Sequence, residues 1–259
     1  MRGWWTLYRT SLGLGVRALA RGGPRREGVT RLVIPLDPSR YLELPWALDH
    51  LGAREGERVL DLASPKLVAV ALARRGVEVT SVDAFAPEVD TWRRLAGREP
   101  RLRFEVADGR ALPFEDGSFD RAYSISVLEH VADDGDAQAL RELERVVRPG
   151  GRIVLTLPYA REARDEWRDR PLYGEGEGPA FFQRWYDDGR LASLLAAAPE
   201  LRVAHRSVVR LAPNWQPLYD RLFPWLVALG PVYGLLAREV EGPGGDVVRI
   251  ALDRYPAAP

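Results

Sequence analysis

Arg58-Val59-Leu60-Asp61-Leu62 opens the stretch that decides the fold, a short apolar run with an aspartate near its end. Val77-Glu78-Val79-Thr80-Ser81-Val82-Asp83 is a second run, closing on an aspartate. Leu102-Arg103-Phe104-Glu105-Val106-Ala107-Asp108 is a third, and Phe119-Asp120-Arg121-Ala122-Tyr123-Ser124-Ile125-Ser126 a fourth. Arg148-Pro149-Gly150-Gly151 then turns into Arg152-Ile153-Val154-Leu155-Thr156-Leu157-Pro158. Helical stretches separate these runs, which predicts a parallel sheet with right-handed crossovers. Ligands of such sheets bind outside the carboxyl ends of the strands. Acidic side chains at three of those ends suit a ligand rich in hydroxyl and amino donors.

Working outward, the bulk numbers narrow the chemistry. The 259 residues allow one large domain or one domain with embellishments. Formal net charge is zero, so no general attraction to nucleic acid is expected. There is no cysteine, which excludes disulfides, zinc-thiolate sites and a thiol nucleophile. The three histidines, His50, His130 and His205, make no metal-ligand pattern, and no metal site is expected. Lys66 is the only lysine in a chain whose other bases are arginine, a bias that reflects a high-GC coding sequence rather than function.

The first 26 residues carry six arginines and no acid. On a helical wheel Trp4, Trp5, Tyr8, Leu12, Val16 and Leu19 share one side, with Arg2, Arg9, Arg17 and Arg21 on the other. Such a helix suits either a membrane interface or packing against the protein's own core. A secretory signal fits poorly, because no continuous apolar stretch is present. Leu222 to Ala237 is uncharged but shorter than the roughly 20 residues of a spanning helix, and Pro224, Gly230 and Pro231 interrupt it. The expectation is a cytoplasmic protein, with peripheral contact at the inner membrane face through residues 1–22 and 222–237 as one alternative and burial of both segments as the other. The pair makes an apolar or lipid-like small-molecule partner the expected one.

Five motifs, in order, carry a resemblance: Val59-Leu60-Asp61-Leu62, Ala107 to Phe114, Asp116-Gly117-Ser118-Phe119-Asp120, Ser126-Val127-Leu128-Glu129-His130-Val131 and Leu143 to Gly151. Together they resemble class I S-adenosylmethionine-dependent methyltransferases, closely over Leu44 to Pro158 and loosely elsewhere. The resemblance implies an α/β fold: a doubly wound, mostly parallel seven-strand sheet with helices on both faces. Residues 1–30 are then an N-terminal amphipathic arm and residues 31–259 the methyltransferase-like domain, with a cofactor-binding core at 58–158 and insertions at 160–186 and 212–242. A helix over Tyr41 to Leu48 precedes the first strand, another spans Asp188 to Ala198, and Leu201 to Leu211 and Asp246 to Tyr255 are the last two strands.

The same resemblance implies S-adenosylmethionine as cofactor and distributes roles. Asp83 accepts from the ribose hydroxyls. Asp108 accepts from the adenine amino group, with Gly109 or Arg110 donating a backbone N–H to the ring. Ser124 and Ser126 stand where backbone carbonyls hold the cofactor's amino group, and Asp61 organises the loop after the first strand. The chain departs from the family in that loop: Ala63-Ser64-Pro65-Lys66 replaces a glycine-rich turn, with Ala63 and Pro65 at glycine positions. Pro65 and Ser64 are expected to start and cap a helix over Lys66 to Arg75. Lys66 is either a partner for the methionine carboxylate or a surface lysine. His130 is the candidate general base, and Tyr41, Tyr159, Tyr173, Trp185 and Tyr186 are candidates to line the acceptor pocket. No Asn-Pro-Pro-Tyr-like sequence follows the fourth strand, which argues against amino methylation of nucleic-acid bases or glutamine. The expected reaction is methyl transfer to a small acceptor at oxygen. The alternatives are a methyltransferase-like binding or regulatory protein that has lost transfer, and a cofactor-dependent enzyme that does not methylate.

Overall fold

The computed structural model describes residues 2–33, 35–36, 40–170, 178–210, 238–242 and 245–256. Tyr173 and the apolar run Leu222–Ala237 lie outside these described residues. Eight strands form the main sheet. They are β1 (Arg58–Leu62), β2 (Glu78–Asp83), β3 (Leu102–Val106), β4 (Phe119–Ile125), β5 (Val147–Pro158), β8 (Leu201–Arg210), β9 (Arg238–Val240) and β10 (Val247–Arg254). Their order is β3-β2-β1-β4-β5-β10-β8-β9. β1 pairs in parallel with β2 and β4, β2 with β3, and β4 with β5. β10 runs antiparallel between β5 and β8, and β9 runs antiparallel to β8 at the edge.

β1 is central, and Val59, Leu60 and Leu62 are buried, as expected of a strand covered on both faces. Alternate residues feed two cores. Val59, Tyr123, Ile125 and Val154 face helices α1 (Arg2–Ala20), α3 (Leu44–Leu51), α4 (Leu67–Ala73) and α5 (Ala86–Ala96). Leu60, Ala122, Ile153 and Leu155 face α6 (Gly135–Val146) and α7 (Asp188–Ala196). The sequence-based expectation therefore holds for a mostly parallel sheet with helices on both faces. The sheet has one strand more than expected: β9 is a three-residue edge strand on β8. The 160–186 segment adds an antiparallel ribbon, β6 (Arg164–Arg168) with β7 (Ala180–Trp185).

The N-terminal helix packs on the protein's own core. Leu7, Leu14 and Ala18 are its buried apolar side chains, on the side opposite Trp5, Val16 and Leu19. A second helix, α2 (Arg25–Val33), folds back on it after Pro24. Gly15 and Gly28 allow the approach: a Cβ on Gly15 would stand 2.8 Å from the Gly28 carbonyl oxygen. Among the described residues no helix is long and apolar enough to cross a membrane.

Candidate cofactor and acceptor site

The chain order moves outward from β1 to β3 and then returns to place β4 beside β1. Ligands of open α/β sheets sit at that reversal. Here it holds a cavity of about 410 Å³, whose wall includes Ala63, Asp83, Asp108, Gly109, Ser126 and His130. The size suits a nucleoside-type ligand.

The loop after β1 is rebuilt rather than lost. Ala63 adopts φ 51°, the left-handed conformation that favours glycine. Its N–H donates to the Val82 carbonyl, so β2 fixes the turn. Asp61 is fully buried; it accepts from the Ser64 N–H and from Ser81 Oγ at 2.6 Å. Burial raises its pKa, with the Lys66 charge and the Ser81 bond opposing the rise. Ser64 does not cap α4, whose N-cap is Lys66 with no side-chain cap bond. Ser64 Oγ instead donates to the Leu62 carbonyl and accepts from the Ile125 N–H, tying the loop to β4. Ala63→Gly relieves the left-handed strain but loosens the unfolded chain. The net expectation is a gain of roughly 0.5–1 kcal/mol in a thermal melt, with cofactor affinity retained.

Lys66 is not a surface lysine: only 1% of it is exposed. Its Nζ lies 2.9 Å from Asp83 Oδ2 and 4.0 Å from Asp61 Oδ2. It therefore stands behind Asp83, outside the cavity wall. Asp83 Oδ1 accepts from the Phe85 N–H, so the carboxylate is held at both oxygens with lone pairs left over. Asp108 is engaged differently. Arg110 donates to it from Nε, from Nη2 and from its backbone N–H, and those bonds hold the carboxyl below its usual range. The Arg110 N–H is thus spent on Asp108. Gly109 lets the chain approach Leu62, where a Cβ would meet Cδ1 at 2.9 Å.

On the β4 side, Ser124 is buried beneath the wall and donates to the Leu62 carbonyl. Ser126 lines the cavity with φ 50°, a second non-glycine residue in the left-handed region. Its Oγ donates to Glu43 Oε1, which also accepts from Thr156, while Arg40 pairs with Glu43 Oε2. In the 3-10 turn Leu128–His130 the His130 Nδ1 lies 2.6 Å from the Phe182 carbonyl. A carbonyl only accepts, so Nδ1 carries the proton and Nε2 the lone pair. Burial lowers the His130 pKa, which keeps the ring neutral at pH 7. Glu129 Oε1 lies 3.8 Å from Nε2.

Glu129 is buried, and its Oε2 has no hydrogen-bond partner. Burial first, then the Glu43 charge, pushes its pKa up to about 8. It is therefore a neutral acid at pH 7. As pH rises above the ordinary value of 4.5, the unfolded chain releases this proton and the folded chain keeps it, so stability falls until about pH 8. Glu129→Gln removes the penalty. The expected gain is about 2–3 kcal/mol at pH 7, vanishing near pH 4, in urea unfolding. No gain at pH 7 would show the carboxyl to be ionised and paired.

The aromatic candidates fall elsewhere. Tyr41 is buried and stacks on Trp4. Tyr159 is buried, with its hydroxyl donating to Asp188. Tyr186 is buried and donates to Asp136. Trp185 donates to Glu166 on the ribbon, under the Arg164 guanidinium. None of these four is in the cavity wall, which is built from Phe85, Val127, Leu128 and Val131 instead. The hydroxyls explain the tyrosines: a buried phenol seeks an acceptor, and carboxylates on α6 and α7 supply it. Phe85 and Glu43 carry no expectation from sequence, although Phe85 lies two residues beyond an acidic strand end. Arg110, expected to offer its backbone N–H to the adenine ring, donates it to Asp108.

Residues 60–155 match the family model described as a methyltransferase domain. A demethylmenaquinone methyltransferase of Clavibacter sepedonicus is 32% identical over 177 residues, 59% of this chain and 69% of that protein. The chain belongs to the class I S-adenosylmethionine-dependent methyltransferases. A demethylmenaquinone methyltransferase of Beutenbergia cavernae is 42% identical over 141 residues, 52% of this chain and 56% of that one. The ubiquinone biosynthesis O-methyltransferase of Xanthomonas oryzae pv. oryzae is 35% identical over 122 residues, 43% and 48% of the two chains. The chain thus spans about half to two thirds of the length of these curated relatives. The solved S-adenosylmethionine-dependent methyltransferase of Mesorhizobium loti shares the fold at TM-score 0.55 and 18% identity, covering 84% of this chain and 100% of that one.

The cofactor of the family is S-adenosylmethionine, and the residues here fit it. Two carboxylates stand at neighbouring strand ends of a cavity of nucleoside size, and the remaining wall is largely apolar.

Proposed function

We propose that this chain transfers a methyl group from S-adenosylmethionine to a hydroxyl of a small apolar acceptor entering beside His130. The observation that carries this reading is the placement of His130: it lines the cavity with Nδ1 2.6 Å from the Phe182 carbonyl, which in the neutral ring assigns the proton to Nδ1 and the basic lone pair to Nε2. When bound, the cofactor supplies a methyl group already activated on a sulfonium sulfur. The protein's part is orientation and one proton. Asp83 holds the ribose hydroxyls, Asp108 meets the adenine edge, and the Ser126 backbone faces the amino group. His130 Nε2 removes the acceptor's hydroxyl proton as the oxygen becomes alkylated. Phe85, Val127 and Leu128 keep that part of the wall apolar. Relatives named for demethylmenaquinone and ubiquinone biosynthesis support a quinol- or phenol-like acceptor.

The test is a panel of apolar phenols and quinols incubated with purified protein and cofactor, read by mass spectrometry. The expected result is one added methyl group on oxygen, with S-adenosylhomocysteine released in equal amount. Cofactor binding without any methylated product across the panel would favour the binding-protein reading.

A further inference from the structure

We infer that the outward side of the α1–α2 hairpin is a docking face for an anionic lipid surface. The helix α1 is apolar on two opposite sides. One packs on the core through Leu7, Leu14 and Ala18. The other is left in solvent: Trp5 and Val16 are each 58% exposed and Leu19 42%. Their spacing, with Leu12 between them, is that of a single helical stripe. On α2, Val29 and Val33 are also exposed. The packing on α3 and α4 satisfies the helix without them, so folding does not explain this second stripe.

The charge says what covers it. Arg9, Arg25 and Arg26 on the two helices and Arg21 in the turn between them are all exposed, against one acid on α2, Glu27. Residues 1–26 hold no acid, in a chain that is neutral overall. Basic side chains around an apolar stripe with a tryptophan match a bilayer interface carrying anionic headgroups. Position adds a reason for it. Trp4 stacks on Tyr8 and Tyr41, and Glu43, two residues on, receives Ser126 and Thr156 at the carboxyl ends of β4 and β5. The head of α1, Trp5 included, thus lies at the edge of the sheet where the cavity opens. The inference stands on the surface alone and does not require the proposed reaction.

The test is flotation of the full chain with vesicles, phosphatidylcholine alone against phosphatidylcholine with phosphatidylglycerol. Binding to the anionic vesicles at low salt and release at high salt are expected. Trp5→Ser with Val16→Ser and Leu19→Ser should weaken binding roughly tenfold or more. Arg9→Gln with Arg25→Gln and Arg26→Gln should weaken it roughly 100-fold. Both sets should leave cofactor affinity unchanged, because none of these side chains lines the cavity. Trp5 packs edge-on against Trp4 and Leu19 lies against Gly28, so the serine set should melt somewhat earlier yet stay folded, while the glutamine set should keep the parent's thermal midpoint. Failure to float with anionic vesicles at low salt overturns the inference. So does flotation of both variant sets equal to that of the parent, or lipid-independent self-association that the serine variants abolish, which would assign the face to a second copy.

Discussion

Asp83→Ala is expected to weaken S-adenosylmethionine binding by about 2–3 kcal/mol, or 30- to 150-fold, and to destabilise the free protein as well. The two effects have separate causes. Loss of affinity comes from removing an acceptor aimed into the cavity from the end of β2. Loss of stability comes from behind it. Lys66 is buried with its ammonium 2.9 Å from Asp83, and breaking one side of a buried pair costs about 3–5 kcal/mol. Lys66→Met combined with Asp83→Ala separates them: stability should return in part, because Asp61 also loses the Lys66 charge, while affinity stays low. Calorimetric titration reads the first and urea unfolding the second. Unchanged affinity in Asp83→Ala would place the ribose elsewhere.

His130→Ala is expected to lower kcat by roughly 10²–10⁴-fold on a hydroxyl acceptor, the range for loss of a general base. Cofactor affinity should stay near that of the parent, because in the proposed reaction His130 acts on the acceptor. The pH profile gives the sharper check. Burial lowers the His130 pKa, so the parent's activity should hold through neutrality and fall only below the ordinary histidine range, while the alanine variant should lose that acidic limb. An equal fall in cofactor affinity, or an unchanged acidic limb, would make His130 a packing residue.

Strand ends were legible from sequence and side-chain directions were not. Asp83 and Asp108 fall at the cavity because a parallel sheet with this order of strands leaves few places for its carboxyl ends. The first strand's central place follows from its run of buried residues. Lys66 was misjudged because nothing local shows that its side chain turns inward. The direction is set by Asp61 and Asp83, which only the β1–β2 pairing brings together. Ser64 looked like a cap by local rules, but the amide of Ile125 on β4 claims its hydroxyl. The wheel of α1 showed the larger apolar side, and the core took the opposite one. Gly15 and Ala18, small enough for close approach, lie near α2 and decided that choice more than hydrophobicity did. The eighth strand was too short, at three residues, to leave a pattern.

In the loop after β1 an alanine holds the left-handed turn and a buried lysine braces Asp83 from behind. The central claim is that the site still takes the cofactor. Isothermal titration of the purified full chain with S-adenosylmethionine tests it most directly. One-to-one saturable binding, competed by S-adenosylhomocysteine and weakened in Asp83→Ala, is the predicted result. No binding heat at about millimolar cofactor, or binding that Asp83→Ala leaves untouched, would contradict it.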